Sequence, residues 1–173
     1  MLSEKLTQAL SEQINAEYYS AYLYLAMSAA ADKMGLKGTA NWLFVQAKEE
    51  MAHGTRFYEY LLERGAFPSL TAIESPPASY TDVRDIFDKV LAHEQKVTQR
   101  INALATLAMQ ESDHAGYQFM MWFVNEQVEE ESGVTVILDQ LRLIGDNTGL
   151  LLTLDNELAA RVFVNPFPAK GTP

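Results

Sequence analysis

Acidic side chains interrupt apolar runs of helical spacing in four separate parts of the chain. Stepping by threes and fours, one run reads Leu6, Leu10, Ile14, Glu17, Ala21, Tyr24, Ser28, and the next Leu43, Ala47, Glu50, His53, Phe57, Leu61. A third reads Phe87, Val90, Glu94, Val97, Ile101, Leu104, Ala108, and the last Met120, Phe123, Gln127, Glu130, Val134, Ile137, Leu141. One such Glu ordinarily sits at the edge of a stripe and reaches water. Four stripes broken by polar groups near mid-run are different, because ionised carboxylates buried together suffer desolvation and mutual repulsion unless a cation neutralises them. No Lys or Arg lies in these stripes beside the acids. The chemistry they suit is metal binding by carboxylate and imidazole.

The spacing points the same way. Glu17 and Glu50 are 33 residues apart, as are Glu94 and Gln127. A shift of 77 positions carries Glu17, Glu50 and His53 onto Glu94, Gln127 and Glu130, and Glu49 onto Glu126. Two halves with near-equivalent ligand sets are what a pseudo-twofold site for two metals requires. The halves share little else, so the equivalence is geometric.

The elements that must position these groups are helices. Proline occurs only at 68, 76, 77, 166, 168 and 173. The long proline-free segments, rich in Ala, Leu, Glu, Gln and Met, predict helices over about 4–33, 39–64, 82–111 and 114–145, with a short fifth over about 148–161. Gly35–Gly38 marks the first break, Gly65 a C-cap, Thr81 or Asp82 an N-cap and Ser112–Asp113 a tight turn. Short first and third connections force antiparallel hairpins. A helix of 28 residues is about 42 Å long, and some 15 extended residues over Ala66–Tyr80 reach about 50 Å. The second and third helices can therefore run parallel. The expected fold is all-α: a four-helix bundle with one long crossover and a short C-terminal helix. Residues 1–161 form the expected domain and 162–173 a tail.

Composition narrows the partners. The chain has 173 residues and a formal charge of −10, which makes nucleic acid and anionic membrane poor partners and cations good ones. With no cysteine, disulfides, zinc–thiolate and iron–sulfur sites and a thiol nucleophile are excluded. The N-terminus, MLSEKLTQAL, has no continuous apolar stretch, and no run of about 18 apolar residues occurs. The expected compartment is the cytoplasm.

The chain resembles bacterial non-haem ferritins through Glu17 in NAEYYSAYLY, Glu49-Glu50-Met51-Ala52-His53, Glu94 in AHEQ, and Glu126-Gln127-Val128-Glu129-Glu130. The resemblance covers about residues 1–161. It implies a ferritin-like bundle with an intra-subunit di-iron ferroxidase centre that oxidises Fe(II) with O2 or H2O2, iron storage as a ferric mineral, and a hollow shell of twenty-four subunits. It assigns Glu17, Glu50 and His53 to the first iron, with Glu50 bridging, and Glu94 and Glu130 to the second. Gln127 is then a nearby hydrogen-bonding group, Glu49, Glu126 and Glu129 form a third iron site, and Tyr24 is an electron donor. No haem is expected.

Other residues have plainer readings. His93 steps about 100° around the helix from Glu94 and is expected at the surface. His114 starts the fourth helix, and Trp42, Trp122 and the methionines other than Met51 are expected to serve packing. Met51 stands where bacterioferritins place a haem-ligating methionine. Those proteins repeat Glu-x-x-His on the fourth helix, whereas this chain has Gln127-x-x-Glu130. The alternatives are a bacterioferritin-like or rubrerythrin-like di-iron peroxidase, or a helical scaffold with incidental buried acids. A rubrerythrin would usually add a Cys-rich domain, which this chain lacks.

Overall fold

A computed structural model describes residues 2–168. Five helices follow one another: α1 (Glu4–Lys33), α2 (Lys37–Glu63), α3 (Val83–Gln110), α4 (His114–Ile144) and α5 (Thr148–Leu158). No strand occurs among the described residues. The first four helices match the expected spans to within two residues. Ser3, Asp82, Asp113 and Asn147 cap α1, α3, α4 and α5 by accepting from first-turn backbone N–H groups. At the far end of α2, Gly65 takes φ +70°. There Gly65 N–H donates to Leu62 and Ala66 N–H to Leu61. This paired closure needs a left-handed residue, which is why glycine sits there.

Helix α1 pairs with α2 and α3 with α4. Between the hairpins, Arg100 reaches Glu12 and Gln13, and Ser20 meets His93, so α1 and α3 run antiparallel. It follows that α2 and α3 are parallel, as the long connection requires. The crossover lies against α1: Asn15 Nδ2 donates to the Thr71 and Ala72 carbonyls, and Ser69 N–H to Ser11 Oγ.

The core is divided. One apolar cluster holds Leu23, Tyr24, Ala47, Val90 and Val134, and the other Ile14, Phe57, Val97 and Phe123. On each long helix the predicted acids fall between these clusters. Glu17 separates Ile14 from Leu23, and Glu50 with His53 separates Ala47 from Phe57. Glu94 lies between Val90 and Val97, and Gln127 with Glu130 between Phe123 and Val134. The bundle is thus two apolar cores with one buried polar layer between them.

Two local features differ from expectation. Gly38 lies inside α2, and its role is contact: an added Cβ would stand 1.6 Å from the Asp155 carbonyl oxygen. Leu36 provides α2 with no side-chain cap. Asp155, buried on α5, instead accepts from Gly38 N–H (2.9 Å), Thr39 N–H (2.7 Å) and Thr39 Oγ1 (2.8 Å). An anionic side chain on the open N–H groups of a helix start is favoured by hydrogen bonding and by the helix dipole. Second, α5 ends at Leu158, not at 161. Asn41 Nδ2 takes the Ala159 and Arg161 carbonyls (3.2 and 2.9 Å), turning the chain out of the helix. Beyond it, Phe167 packs on Trp122, with ring centroids 4.4 Å apart. Of the expected tail over 162–173, residues 169–173 lie outside the described residues.

Candidate metal centre

Three of the predicted side chains converge from the α1–α2 hairpin. Glu17, Glu50 and His53 each present a ligand atom within 4.8 Å of the others, and all three are buried. His53 Nδ1 stands 3.9 Å from Glu17 Oε2 and 3.7 Å from Glu50 Oε2. The register of α2 sets this arrangement: Glu50 and His53, one turn apart, share a face toward Glu17.

The carboxylates are oriented from behind. Gln13 Nε2 donates to Glu17 Oε1 at 2.7 Å, and Arg100 Nε donates to Gln13 Oε1 at 3.0 Å. Gln46 Nε2 donates to Glu50 Oε1 at 3.2 Å. Gln13 and Gln46 each lie four residues before the acid they hold, a pairing visible in the sequence once those acids are singled out. Glu17 Oε2 is buried and has no hydrogen-bond partner among the described residues. A buried carboxylate oxygen left unpaired is costly, and a cation would satisfy it.

On the opposite hairpin Glu94 is held at both oxygens. Tyr24 O–H donates to Oε1, and Gln127 Nε2 donates to Oε2 at 3.1 Å. Glu130 is buried in the same layer, and its charge bears on Glu50, Glu94, Glu49 and Glu126. Glu94 and Glu130 stand outside the tight Glu17–Glu50–His53 cluster.

Electrostatics follow from burial. Desolvation first, then the Glu50 charge, pushes the Glu17 carboxyl up to about 8, and desolvation with the Glu130 charge pushes Glu94 up to about 7. Burial and the Glu94 charge also raise Glu50 well above the ordinary carboxylate range. Burial and the surrounding carboxylates keep the Tyr24 phenol protonated, in keeping with its role as donor. In this layer protons occupy carboxylates that a divalent cation could claim.

Glu49, Glu126 and Glu129 line a separate cavity of about 350 Å³, which Glu130 joins to the buried layer. Sequence reasoning missed two of its other walls, Trp42 and Arg161. Arg161 Nη2 donates to Glu49, and its guanidinium carbon lies 4.4 Å from the Trp42 ring centroid. The stripes contain no cation, but the segment after α5 delivers one. Even so, burial outweighs the arginine and raises Glu49 to about 7. Nothing local in the sequence marks Arg161 as a partner of a residue 112 positions earlier.

His93 is half-buried and not free at the surface. It points away from Glu94, as its one-residue step requires, but into the α1–α3 groove. There its Nε2 lies 2.7 Å from Ser20 Oγ, beside the Tyr19 and Tyr24 rings. Burial pushes its imidazole down to about 4. His114 opens α4 at the surface. Trp42 and Trp122 are packed, the latter against His53, whereas Met34 and Met109 are exposed and do not serve packing. Met51 is also exposed.

The ferritin-like domain family matches residues 7–144. The bacterial non-heme ferritin of Staphylococcus epidermidis is 43% identical over 163 residues, covering 94% of this chain and 98% of that protein. That of Staphylococcus aureus strain USA300 is 40% identical over the same shares. Among solved structures, an engineered closed form of the Archaeoglobus fulgidus ferritin superposes with a TM-score of 0.93 at 47% identity. That match spans 95% of this chain and 100% of the other. The open-pore ferritin from the same archaeon gives 0.93 over 94% and 100%.

Proposed function

The chain belongs to the ferritin family, and we propose that it stores iron by oxidising Fe(II) inside each subunit and laying it down as a ferric mineral in a shell of twenty-four copies. The observation that carries this reading is the buried Glu17–Glu50–His53 cluster with its unpaired Glu17 oxygen. In this reading these three hold the first Fe(II), Glu50 bridging, and Glu94 with Glu130 hold the second. Gln127 and Tyr24 orient Glu94, and Tyr24 can also supply an electron. Glu49, Glu126 and Glu129 receive iron on the inner side.

Oxygen ligands with one imidazole suit Fe(II) and tolerate Fe(III). Two Fe(II) ions each give one electron to dioxygen, which takes up two protons and leaves as hydrogen peroxide. Fe(II) competes with the proton on Glu17 and, in part, with that on Glu94, so filling the centre releases acid. No helix among the described residues is long and apolar enough to cross a membrane, and we assign the protein to the cytoplasm.

Stopped-flow oxidation of Fe(II) in air tests the centre. Glu50→Ala and His53→Ala should each abolish the fast phase, and wild-type rates in either would overturn the assignment. Glu129→Ala should slow successive rounds of iron addition. Sizing the purified assembly while recording its iron content tests the shell.

A further inference from the structure

We propose that Arg161 is a built-in, displaceable counter-ion of the inner carboxylate pocket, lowering that pocket's affinity for iron so that iron moves through it and does not lodge there. The inference rests on the reading of Glu49, Glu126 and Glu129 as an iron-receiving site. What it adds is a reason for iron to leave.

The backbone at Arg161 is fixed, while its guanidinium is hydrogen-bonded through one terminal nitrogen only. Asp155 docks α5 on the start of α2, and Asn41 clamps the Ala159 and Arg161 carbonyls. From that anchor the guanidinium lies over Trp42, an aromatic face that attracts cations, and donates through Nη2 to Glu49. Its other terminal nitrogen, Nη1, is buried in the same region with no hydrogen-bond partner among the described residues. An arginine held firmly in a structural ion pair would normally use both ends of its fork. This one uses a single nitrogen on Glu49, at a cavity whose other walls carry three more carboxylates.

Arginine stays charged at every working pH, so the competition it offers is constant. An incoming divalent ion meets a pocket already part-neutralised and must displace or repel the guanidinium to use both oxygens of Glu49. The side chain is a quarter exposed, which leaves it a way out toward solvent. Weak retention here suits a transit point between a buried centre and a mineral.

The test is calorimetric titration of the assembled, iron-free protein with Zn(II), which binds without redox chemistry. Arg161→Gln should tighten the inner class of Zn(II) sites by at least about tenfold, while Arg161→Lys, which keeps the charge, should stay within about threefold of wild type. In air, Arg161→Gln should also slow repeated rounds of iron addition, since iron is retained. Unchanged Zn(II) affinity in Arg161→Gln overturns the inference, as does an Arg161→Lys protein that binds like Arg161→Gln. A Glu129→Gln control separates the two layers of argument. If it leaves Zn(II) stoichiometry unchanged, the pocket itself is no cation site. If it removes a site that Arg161→Gln fails to tighten, the pocket stands and the counter-ion role falls.

Discussion

At the scale of single residues, the centre is defined as much by the groups behind the acids as by the acids. Glu94 shows this best, because Tyr24 and Gln127 hold its two oxygens and fix where they point. Tyr24→Phe keeps the buried ring but removes the donor, so the bundle should still form while Glu94 gains rotational freedom. Loss of such an orienting partner typically costs 10- to 100-fold at metal sites, and we expect oxidation of Fe(II) about tenfold slower. A stopped-flow rate equal to wild type would show that Gln127 alone suffices. The acids themselves were legible in the sequence, since a carboxylate inside an apolar helical stripe stands out against its neighbours. Their supports were less so: Gln13 and Gln46 look like ordinary helix residues until Glu17 and Glu50 are seen to be buried. For His93 the 100° step leads away from the centre as expected, but α1 covers part of that face, so the ring is half-buried against Ser20.

At the scale of elements, periodicity and proline spacing made the four long helices and their parallel crossover readable, because each must bury one stripe and the connection must span the bundle. What the sequence could not display is a contact between distant elements. Gly38 read as a helix break, yet it lies within α2 because the Asp155 backbone passes where a side chain would be. Its neighbour Thr39 shares the same partner, so α5 is both a cap for α2 and the arm that carries Arg161 inward. Gly38→Ala should therefore push α5 off α2, costing roughly 1–3 kcal/mol as an overpacked contact. Hydrogen exchange reads this directly: amides of Thr148–Leu158 should lose protection while those of α1 and α3 keep theirs. Equal protection in wild type and variant would mean that α5 is held by something other than this contact.

At the scale of the whole molecule, a polar layer sandwiched between two apolar cores makes stability depend on what neutralises it. Seven of the 23 acids, Glu17, Glu49, Glu50, Glu94, Glu126, Glu129 and Glu130, belong to this layer or its inner pocket. Without metal, burial holds Glu17 at about 8 and Glu94 and Glu49 at about 7, against 4.5 for an ordinary glutamate. The folded protein thus binds protons more tightly than the unfolded chain between pH 4.5 and about 8. Stability from these groups is fully present below 4.5 and is lost as pH rises through that window. His93, held down near 4, acts in the opposite sense between 4 and 6.5, but it is one group against several. We expect the melting temperature of the metal-stripped protein to fall from pH 5 to pH 8, and Zn(II) at pH 8 to restore it by taking the place of the protons. Surface repulsion from a charge of −10 would give a decline of the same sign. Glu17→Gln separates the two, because a neutral amide at that one buried position removes one of the contributing groups and should make the decline shallower, whereas repulsion spread over the surface would leave its slope as it was. A melting temperature that rises over this range would mean that the layer is already neutralised from within, and that no cation is needed to complete it.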